Sequence, residues 1–378
     1  MKRVDVLIAG GGVVGSACAW FLRHEAPHLS VLVLEPDPAY RQSASTLSAG
    51  SIRQQFSTPL NIALSRFVLH FLRQHGIHVH EATYLYLATA QGEAALRANT
   101  IVQRNCGVPV RRHDADALAR LYPWLATHDL CAGADTLSGE GWFDGHALLR
   151  FFREVNERSG VRYLKDRLAT LELADPGAQA GLASGERIAA RYLVNATGTH
   201  SREVAAMAGI DLPVEPRKRC VYVFTCPKAL HPPALLIDPV GLWFRPEGER
   251  FIAGYSPDPD PAVDFDDFEV DLRVFEDQLW PMLARRVPAF EQARLTAAWA
   301  GHYDYNTFDQ NAFVGPARPG SALLLASGFS GHGLQHAPGI GRGLAEWIAH
   351  GEWRSLDLDP LGIGRLDQIR PEPEINVI

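Results

Sequence analysis

The sequence predicts an α/β fold in which a mainly parallel sheet is interleaved with a second unit built on a mainly antiparallel sheet. Three observations support this prediction. The chain opens with an apolar strand, a glycine-rich turn, a helix and a second strand, which is the pattern of a parallel βαβ unit. Beyond about Leu212, short apolar runs are separated by prolines and glycines, as in antiparallel strands. The chain then returns to strand, glycine-rich turn and helix near its end.

Composition narrows the class of protein. The chain has 378 residues, of which 47% are hydrophobic, so we expect two or three domains or one large interleaved unit. The formal net charge is −7, and the 36 basic residues, nearly all arginine, form no basic patch. This balance argues against nucleic-acid binding.

The cysteines and the apolar stretches indicate the cellular compartment in which the protein is expected. The five cysteines are scattered and form no C-x-x-C pair, which argues against a disulfide framework or a zinc site. They favour a reducing, cytoplasmic environment. The uncharged stretch from Val6 to Leu22 follows two basic residues, as in a signal peptide, but its glycines favour a buried strand, turn and helix. No stretch is long and apolar enough to predict a transmembrane segment.

The spacing of apolar residues predicts further elements. Helices are expected at Pro59–His75 and His146–Ser159, where apolar residues recur every three or four positions. A surface hairpin is expected around the glycine-rich stretch Gly177–Gly185. A loop rich in proline and aspartate, Pro257–Asp267, precedes a helix expected at Asp271–Ala284.

The first glycine-rich turn has the spacing of a dinucleotide-binding motif. Gly10 permits a tight turn, Gly12 lets the backbone approach a pyrophosphate, and Gly15 lets helix and strand pack closely. The helix that follows offers N–H groups and a partial positive charge to the phosphates. Glu35 lies 20 residues beyond Gly15, where a carboxylate accepts hydrogen bonds from a ribose diol. These residues predict a Rossmann-like domain that binds either NAD or FAD.

Four sequence blocks resemble the D-amino-acid oxidase family of FAD enzymes, which includes glycine oxidase, sarcosine oxidase and dimethylglycine dehydrogenase. The blocks follow the family's order and span nearly the whole chain, at residues 8–15, 45–53, 193–198 and 328–338. The last block, GFSGHGLQHAP, is the most specific. Residues 304–311 and 54–57 resemble a branch of the family that contains a mitochondrial respiratory complex I assembly factor.

The resemblance implies a Rossmann-like FAD-binding domain interleaved with a substrate domain that is built on the antiparallel sheet. The FAD-binding domain is expected at residues 1–80, 140–215 and 310–365, the substrate domain at 81–139 and 216–309, and a tail at 366–378.

The resemblance also implies which residues hold FAD. Those expected to line the flavin and pyrophosphate are Ser45, Ser48, Ala49, Gly50 and Ser51. Those expected near the adenosine are Ala196, Thr197 and Gly198, and those expected at the isoalloxazine are Gly331, His332, Gly333, Leu334 and Gln335. Pro338 is expected at the first position of the last helix, Gly339–His350, whose positive end would favour hydride acceptance by the flavin.

Departures from the family pattern refine the cofactor prediction. Some relatives attach FAD through a histidine or a cysteine, where this sequence has Leu47 and the stretch Gly301–Tyr303, so noncovalent FAD is predicted. Sarcosine oxidase carries an oxygen-activating lysine before a Gly-Tyr pair, and the matching stretch Arg250–Tyr255 has no lysine. This favours a dehydrogenase with an unidentified electron acceptor over a fast oxidase.

Arginines are the candidate ligands for a substrate carboxylate, because a fork-shaped cation binds a carboxylate through two bonds. Arg53 is the first candidate because it directly follows the flavin-lining block, and Arg245 is the second. The alternative for either arginine is a structural ion pair.

Tyrosines and histidines are the other candidate site residues. Tyr222, Tyr255 and Tyr303 are expected to form an aromatic wall around a cationic amine, with core packing as the alternative. His302 is a candidate for adjusting amine protonation near neutral pH. His332 is expected to contribute mainly its backbone, with direct acid–base work as the alternative. We therefore predict Arg53, Tyr255 and His302 as the catalytic set.

The predicted function is oxidation of the C–N bond of an amino acid or N-substituted amino acid by hydride transfer to flavin N5. One alternative is an FAD-dependent 2-hydroxy-acid dehydrogenase, in which His302 or His332 takes the hydroxyl proton. Another is a noncatalytic, flavin-bearing assembly factor. The expected partners are a small-molecule amine or amino acid and an electron acceptor, without nucleic acid.

Overall fold

The computed structural model describes residues 2–174, 176–367 and 373–376. In chain order its strands are β1 (Lys2–Ala9), β2 (Val31–Leu34), β3 (Ser51–Ile52), β4 (Val79–Glu81), β5 (Thr83–Ala88), β6 (Val110–Asp114), β7 (Ala132–Thr136), β8 (Gly141–Phe143), β9 (Arg162–Leu164), β10 (Leu168–Leu173), β11 (Ala178–Leu182), β12 (Arg187–Asn195), β13 (Val214–Thr225), β14 (Ala234–Ile237), β15 (Leu242–Glu247), β16 (Arg250–Tyr255), β17 (Arg294–Asn306), β18 (Phe313–Pro316) and β19 (Leu323–Ser327).

The α-helices are α1 (Val13–Glu25), α2 (Ala44–Leu47), α3 (Pro59–Gln74), α4 (Glu93–Asn105), α5 (Ala115–Leu121), α6 (Gly145–Arg158), α7 (Ser201–Met207), α8 (Trp280–Arg286) and α9 (Gly333–His350). A π-helical turn, Phe275–Leu279, leads directly into α8. In the described part of the chain, no helix has the length and apolar character that a membrane crossing needs.

The first sheet has a parallel centre in the order β9-β2-β1-β12-β19. On the side of β12 that faces away from β1, β11 pairs antiparallel with its first half and β19 pairs parallel with its second half. Because β11 lies inside the stretch Gly177–Gly185, the predicted hairpin is instead a three-stranded meander of β10, β11 and β12. The alternation of buried alanines and a leucine in this stretch is what makes it a strand.

Helices α1, α3, α6 and α9 cover one face of this sheet, and α7 packs on the other. The closest approach is between α1 and α9, where a Cβ at Gly341 would lie 2.7 Å from the carbonyl carbon of Ala17. Only a glycine lets the two helices meet at this distance. The packing places the N-terminal ends of α1 and α9 beside the same edge of the parallel strands.

The second sheet has the order β17-β13-β16-β15-β14-β5-β7-β6 and is antiparallel except for the pair of β5 and β14. One face packs against α8 and the π-helical turn. The long strands β13 and β17 pair along their whole length and reach the first sheet at Val214 and Asn306. A small third sheet has the order β3-β8-β4. The predicted fold class is therefore confirmed.

The last helix corrects one expectation from the sequence. Helix α9 begins at Gly333, so Pro338 lies inside it and is not its first residue. Residues 333–337 are helical because the left-handed turn at Gly331, with φ of 92°, redirects the chain before them. The start of α9 therefore lies within the predicted isoalloxazine block itself.

Candidate active site

A cavity of about 470 Å³ begins at the glycine-rich turn after β1. Gly10 has φ of 99°, and a Cβ there would lie 2.2 Å from the carbonyl oxygen of Ala196 at the end of β12. A Cβ at Gly15 would lie 2.0 Å from the carbonyl oxygen of Gly10, so this glycine lets α1 pack on the turn. Gly12 lines the cavity, and α1 has no acidic residue in its first turn. The turn and the helix end are therefore open to an anion.

Glu35 fixes the same turn from the end of β2. Its carboxylate accepts hydrogen bonds from the backbone N–H groups of Gly11 (3.1 Å) and Asp37 (2.9 Å). Burial raises the pKa of Glu35, and these two hydrogen bonds lower it in part. The side chain lines the cavity, where a ribose diol would be its further partner.

The serine-rich block lies beside the start of α1. Ser45 Oγ accepts a hydrogen bond from the N–H of Val13 at 3.0 Å, so it occupies one of the N–H groups at the helix end. Trp299 Nε1, from β17, donates to the carbonyl of Leu47 at 2.9 Å. Gly50 has φ of 70°, and a Cβ there would lie 2.2 Å from a backbone oxygen of β8. Gly50 shapes the block but does not line the cavity.

Arg245 holds the same block from β15. Its Nη2 donates to the carbonyl of Ala49 at 2.8 Å, its Nη1 contacts Glu247, and its guanidinium lies 4.6 Å from the ring centre of Trp142. The side chain is buried among these groups and does not line the cavity. Arg245 is the second sequence candidate for the substrate carboxylate, and that prediction is wrong because the side chain lies outside the cavity and both of its Nη groups already bond to the protein.

Asp304 organises the turn that precedes α9. Its carboxylate accepts hydrogen bonds from the N–H groups of Gly328 (2.7 Å) and Phe329 (3.2 Å). Burial raises the pKa of Asp304 to about 6, although these bonds lower it in part. The turn needs this support because Gly328, Ser330 and Gly331 all have positive φ, at 75°, 51° and 92°. No argument from the sequence selected Asp304, whose only signal was its place in the 304–311 block.

Tyr303 lies directly beneath this turn. A Cβ at Gly331 would lie 2.5 Å from the Tyr303 ring, so glycine is required for the two to touch. The guanidinium of Arg219 lies 5.1 Å from the centre of the same ring. Tyr303 and Arg219 both line the cavity and form its wall on the side of β13 and β17.

Arg53 is buried where the serine-rich block meets α9. Its backbone N–H donates to Gln335 Oε1 at 3.1 Å, its Nη2 donates to His332 Nε2 at 2.9 Å, and its guanidinium lies 4.6 Å from the ring centre of Phe56. Arginine is only a donor, so His332 Nε2 is the acceptor and we assign the proton to Nδ1. Burial, and then the charge of Arg53, hold the pKa of His332 well below its usual range.

The covering loop, residues 256–270, closes the cavity on the side of β13. Lys218 donates to both carboxylate oxygens of Asp267, at 2.8 and 2.7 Å. Arg219 makes two bonds of 2.8 Å to Asp260. The proline- and aspartate-rich composition noted in the sequence therefore supplies the carboxylates that attach this loop to the strand.

Two histidines contact the covering loop through aromatic rings. His302 Nε2 donates to the carbonyl of Asp267 at 2.8 Å, and its ring stacks on Phe268 at 4.2 Å. In the short 3-10 helix that follows β12, His200 stacks on Phe265 at 4.1 Å. The loop therefore touches both units and spans the cavity between them.

The predicted aromatic wall is only partly present. Tyr255 lines the cavity, and its hydroxyl donates to Gln278 Oε1 at 2.8 Å. Tyr222 instead lies in the core of the second unit, where its hydroxyl donates to the carbonyl of Asp271 at 3.2 Å. Tyr222 is therefore a core residue, and the wall consists of Tyr255 and Tyr303 with Trp243.

The predicted site residues come together although they are far apart in the chain. Apart from Arg245 and Tyr222, all of them except Gly15 and Gly50 line this cavity, which runs from Glu35 and Ala196 to Arg53 and His332. Among the described residues, no group of acidic, histidine and cysteine side chains could hold a metal ion.

The family model for FAD dependent oxidoreductases, DAO, matches residues 5–347. The chain belongs to this family. The chain is 37% identical to FAD-dependent oxidoreductase domain-containing protein 1 of Xenopus laevis, over 100% of this chain and 85% of the relative. It is 26% identical to glycine oxidase of Geobacillus kaustophilus, over 96% of this chain and 97% of the relative. L-proline dehydrogenase from P. horikoshii has a similar fold, with a TM-score of 0.85 and 22% identity over 97% of this chain and 98% of the neighbour.

The cavity fits FAD, the cofactor of the family. A pyrophosphate would meet the start of α1 and the Gly10–Gly12 turn, and this turn needs glycine at position 10 because a Cβ there would lie 2.2 Å from the carbonyl oxygen of Ala196. The ribose of the adenosine would meet Glu35 and the turn Ala196–Gly198. The flavin would meet the Gly331–Gln335 block and the serine-rich block.

Proposed function

We propose that the protein oxidises the C–N bond of an amino acid or N-substituted amino acid, and that bound FAD accepts the hydride. The observation that carries this proposal is that the charge of Arg53 is not paired with a carboxylate of any described residue. Its guanidinium is buried and lines the cavity, and it forms no ion pair within the part of the chain that the structure describes. A buried cation without a directly bonded anion is costly, so a substrate carboxylate is its natural partner. The names of the glycine oxidase and L-proline dehydrogenase matches support this substrate class.

The two candidate histidines differ in what they can do. The Nε2 lone pair of His332 is occupied by Arg53, and its lowered pKa keeps the ring in its neutral form near neutral pH. His332 therefore holds the guanidinium and takes no part in proton transfer. His302 uses Nε2–H as a donor to a carbonyl, so its Nδ1 keeps a lone pair. If a base acts in this cavity, we propose that it is His302 Nδ1.

Amine oxidation makes few demands on side chains. The substrate amine must be neutral and its C–H bond must lie over the flavin, so the protein supplies mainly position. In the site, Arg53 would hold the carboxylate, Tyr303 and Tyr255 would pack around the amine, and the covering loop would exclude water. Oxidation of a 2-hydroxy acid needs in addition a base for the hydroxyl proton.

The charges around the cavity support a dehydrogenase over a fast oxidase. The cations that line it, among the described residues, are the arginines Arg53, Arg167 and Arg219, and none is lysine. Lys218 donates instead to Asp267 in the covering loop. Arg219 is paired with Asp260, and the charge of Arg53 is assigned to the substrate carboxylate, so we propose an electron acceptor other than oxygen.

We further propose that FAD is held without a covalent bond. Leu47 stands at the cavity where some relatives have an attaching histidine. Cys220 also lines the cavity, but burial raises the pKa of its thiol, so it stays protonated and unreactive. Precipitating the yellow protein with acid is expected to leave all of the flavin in the supernatant.

The test is anaerobic reduction of the flavin by a panel of amino acids, N-methyl amino acids and 2-hydroxy acids. Reduction is followed as bleaching of the flavin band near about 450 nm, a property of the cofactor. We expect reduction by at least one amino acid, with release of ammonia or amine. For that substrate, Arg53→Gln is expected to raise KM about thirtyfold or more with unchanged flavin content, because one partner of a buried charge pair is lost.

Arg73→Gln is the matched control, because Arg73 forms an exposed ion pair with Glu81 away from the cavity. It is expected to leave KM unchanged. Reduction by 2-hydroxy acids alone, without amine release, would support the second function predicted from the sequence. Reduction by no member of the panel would support the flavin-bearing assembly factor and refute the proposal.

A further inference from the structure

A short C-terminal segment, Pro373–Asn376, crosses the molecule beside Arg53, and we call it the strap. Its anchor is Glu374, which is fully buried. The Glu374 carboxylate accepts hydrogen bonds from the backbone N–H (2.9 Å) and the hydroxyl (2.7 Å) of Ser57. It also accepts one from Asn61 Nδ2 at 3.0 Å, at the start of α3. A buried carboxylate with these donors attaches the strap firmly.

The strap reaches Arg53 through Asn376. The backbone carbonyl of Asn376 accepts a hydrogen bond from Arg53 Nη2. The side-chain amide of Asn376 donates to the carbonyl of Gln55 at 2.9 Å, which holds the strap over this position. Because Nη2 also donates to His332, both of its hydrogens are used within the protein.

The use of both Nη2 hydrogens limits how Arg53 can bind a carboxylate. A guanidinium binds a carboxylate through two parallel bonds, either from Nε and Nη2 or from Nη1 and Nη2. Both forms occur in this chain: Arg111 holds Asp135 with Nε and Nη2, and Arg219 holds Asp260 with Nη1 and Nη2. Each form needs one Nη2 hydrogen, so in the present arrangement Arg53 has no free pair of donors.

The strap also gives Arg53 some of the interactions that a substrate carboxylate would provide. It offers an oxygen acceptor at Asn376 and a nearby negative charge at Glu374. The Nε of Arg53 is buried and has no partner among the described residues. An unpaired buried donor on a cation marks a position where a further acceptor oxygen is expected.

We propose that the strap occupies Arg53 in place of the substrate carboxylate and is displaced when a carboxylate binds through two bonds. Glu374 and Asn376 are then positioning residues that set carboxylate affinity through Arg53. This inference rests on the proposed role of Arg53 as the carboxylate anchor. It identifies the last described residues of the chain as part of the substrate site.

The test compares the wild type with Glu374→Ala, which removes the anchor of the strap. Binding of propionate to the FAD-loaded protein is followed by perturbation of the flavin spectrum, with propionamide as the neutral counterpart. Glu374→Ala is expected to bind propionate about tenfold more tightly, because Arg53 gains a charge-assisted bond that the strap now occupies. Propionamide affinity is expected to stay unchanged, whereas a merely structural effect would move both ligands.

Ile375→Ala is the matched control, because the Ile375 side chain is 54% exposed within the same segment. It is expected to bind propionate as the wild type does. If the wild type and Glu374→Ala bind propionate equally, and Arg53→Gln does not bind it, the proposed displacement of the strap is refuted. Arg53 would then remain the carboxylate anchor. Weaker binding in Glu374→Ala would also refute the displacement, since the strap would then build the site. Absence of carboxylate binding in every variant would overturn both inferences.

A second measurement uses the wild type alone and does not depend on the folding of a variant. The backbone N–H of Ile375 donates to Ser57 Oγ at 3.2 Å, and that of Asn376 to Glu374 Oε1 at 3.1 Å. Saturating propionate is expected to speed hydrogen exchange at these two amides, because the strap leaves Arg53. Unchanged exchange at saturation would refute the displacement.

Discussion

Asp304 makes the stability of this protein depend on pH in a direction that can be worked out. Burial raises its pKa from 3.8 to about 6 in the folded state. The native protein therefore binds this proton more tightly than the unfolded chain does, and the stabilisation is fully present below pH 3.8. It is lost as the pH rises through about 6, and the total loss is about 3 kcal/mol at about 1.36 kcal/mol per pKa unit.

The replacement Asp304→Asn removes this titration. Between about pH 5 and about pH 7.5, linkage predicts that the wild type loses about 1.4 kcal/mol relative to the variant. The N–H groups of Gly328 and Phe329 both donate to Asp304 Oδ2, so the amide oxygen of the variant can accept both, and any cost of the replacement does not change with pH.

The assay is urea denaturation of both proteins at the two pH values, followed by tryptophan fluorescence. Subtracting the two unfolding free energies removes the contributions of distant groups that titrate equally in both proteins. A difference that stays constant from about pH 5 to about pH 7.5 would show that Asp304 does not titrate in this range. The same constant difference is expected if hydrogen bonds, and not burial, dominate its pKa, because a carboxyl with a lowered pKa is ionised throughout this range.

Three further predictions concern FAD retention. Glu35→Ala is expected to weaken FAD binding about tenfold, measured by flavin fluorescence during dilution, because the turn and the ribose both lose an acceptor; unchanged affinity would remove Glu35 from the site. Gly10→Ala is expected to give colourless protein, because its Cβ would lie 2.2 Å from a carbonyl oxygen, whereas Gly76→Ala, also at positive φ but with open space, should keep its flavin. Arg245→Leu is expected to lower the flavin content, because the Ala49 carbonyl loses its hydrogen-bond donor. An unchanged ratio of flavin absorbance to protein absorbance would contradict this.

Local patterns in the sequence were sufficient for the fold class and for the cofactor. Gly10, Gly12 and Gly15 specify a strand-turn-helix unit whose geometry is set within a few residues. The late block at Gly331–Gln335 is recognisable because close backbone approach restricts which residues can stand there. The α/β fold, the family and FAD are confirmed, whereas the roles given to individual site residues stay predictions.

The errors and omissions concern contacts between residues that are distant in the chain. Arg245 was a reasonable carboxylate ligand until its donors were seen to serve Ala49, which lies 196 positions away. Asp304 gave no local signal, because its importance comes from the N–H groups of a turn that follows 24 residues later. The contact between Arg53 and Asn376 joins residues 323 positions apart. Such pairings depend on how the sheets assemble, which periodicity and propensity do not report.

The position of β19 has a consequence for biosynthesis. This strand enters the parallel sheet beside β12 only after residue 323 has been made, and α9 then packs against α1. Until then, the nascent chain has an unpaired edge at β12 and an incomplete nucleotide-binding site. Closing the loop between the first and last elements is a slow, nonlocal event. Acquisition of the yellow cofactor consequently belongs after β19 and α9 have been made, and we expect a chain truncated before this strand to emerge colourless and with an exposed edge open to aggregation.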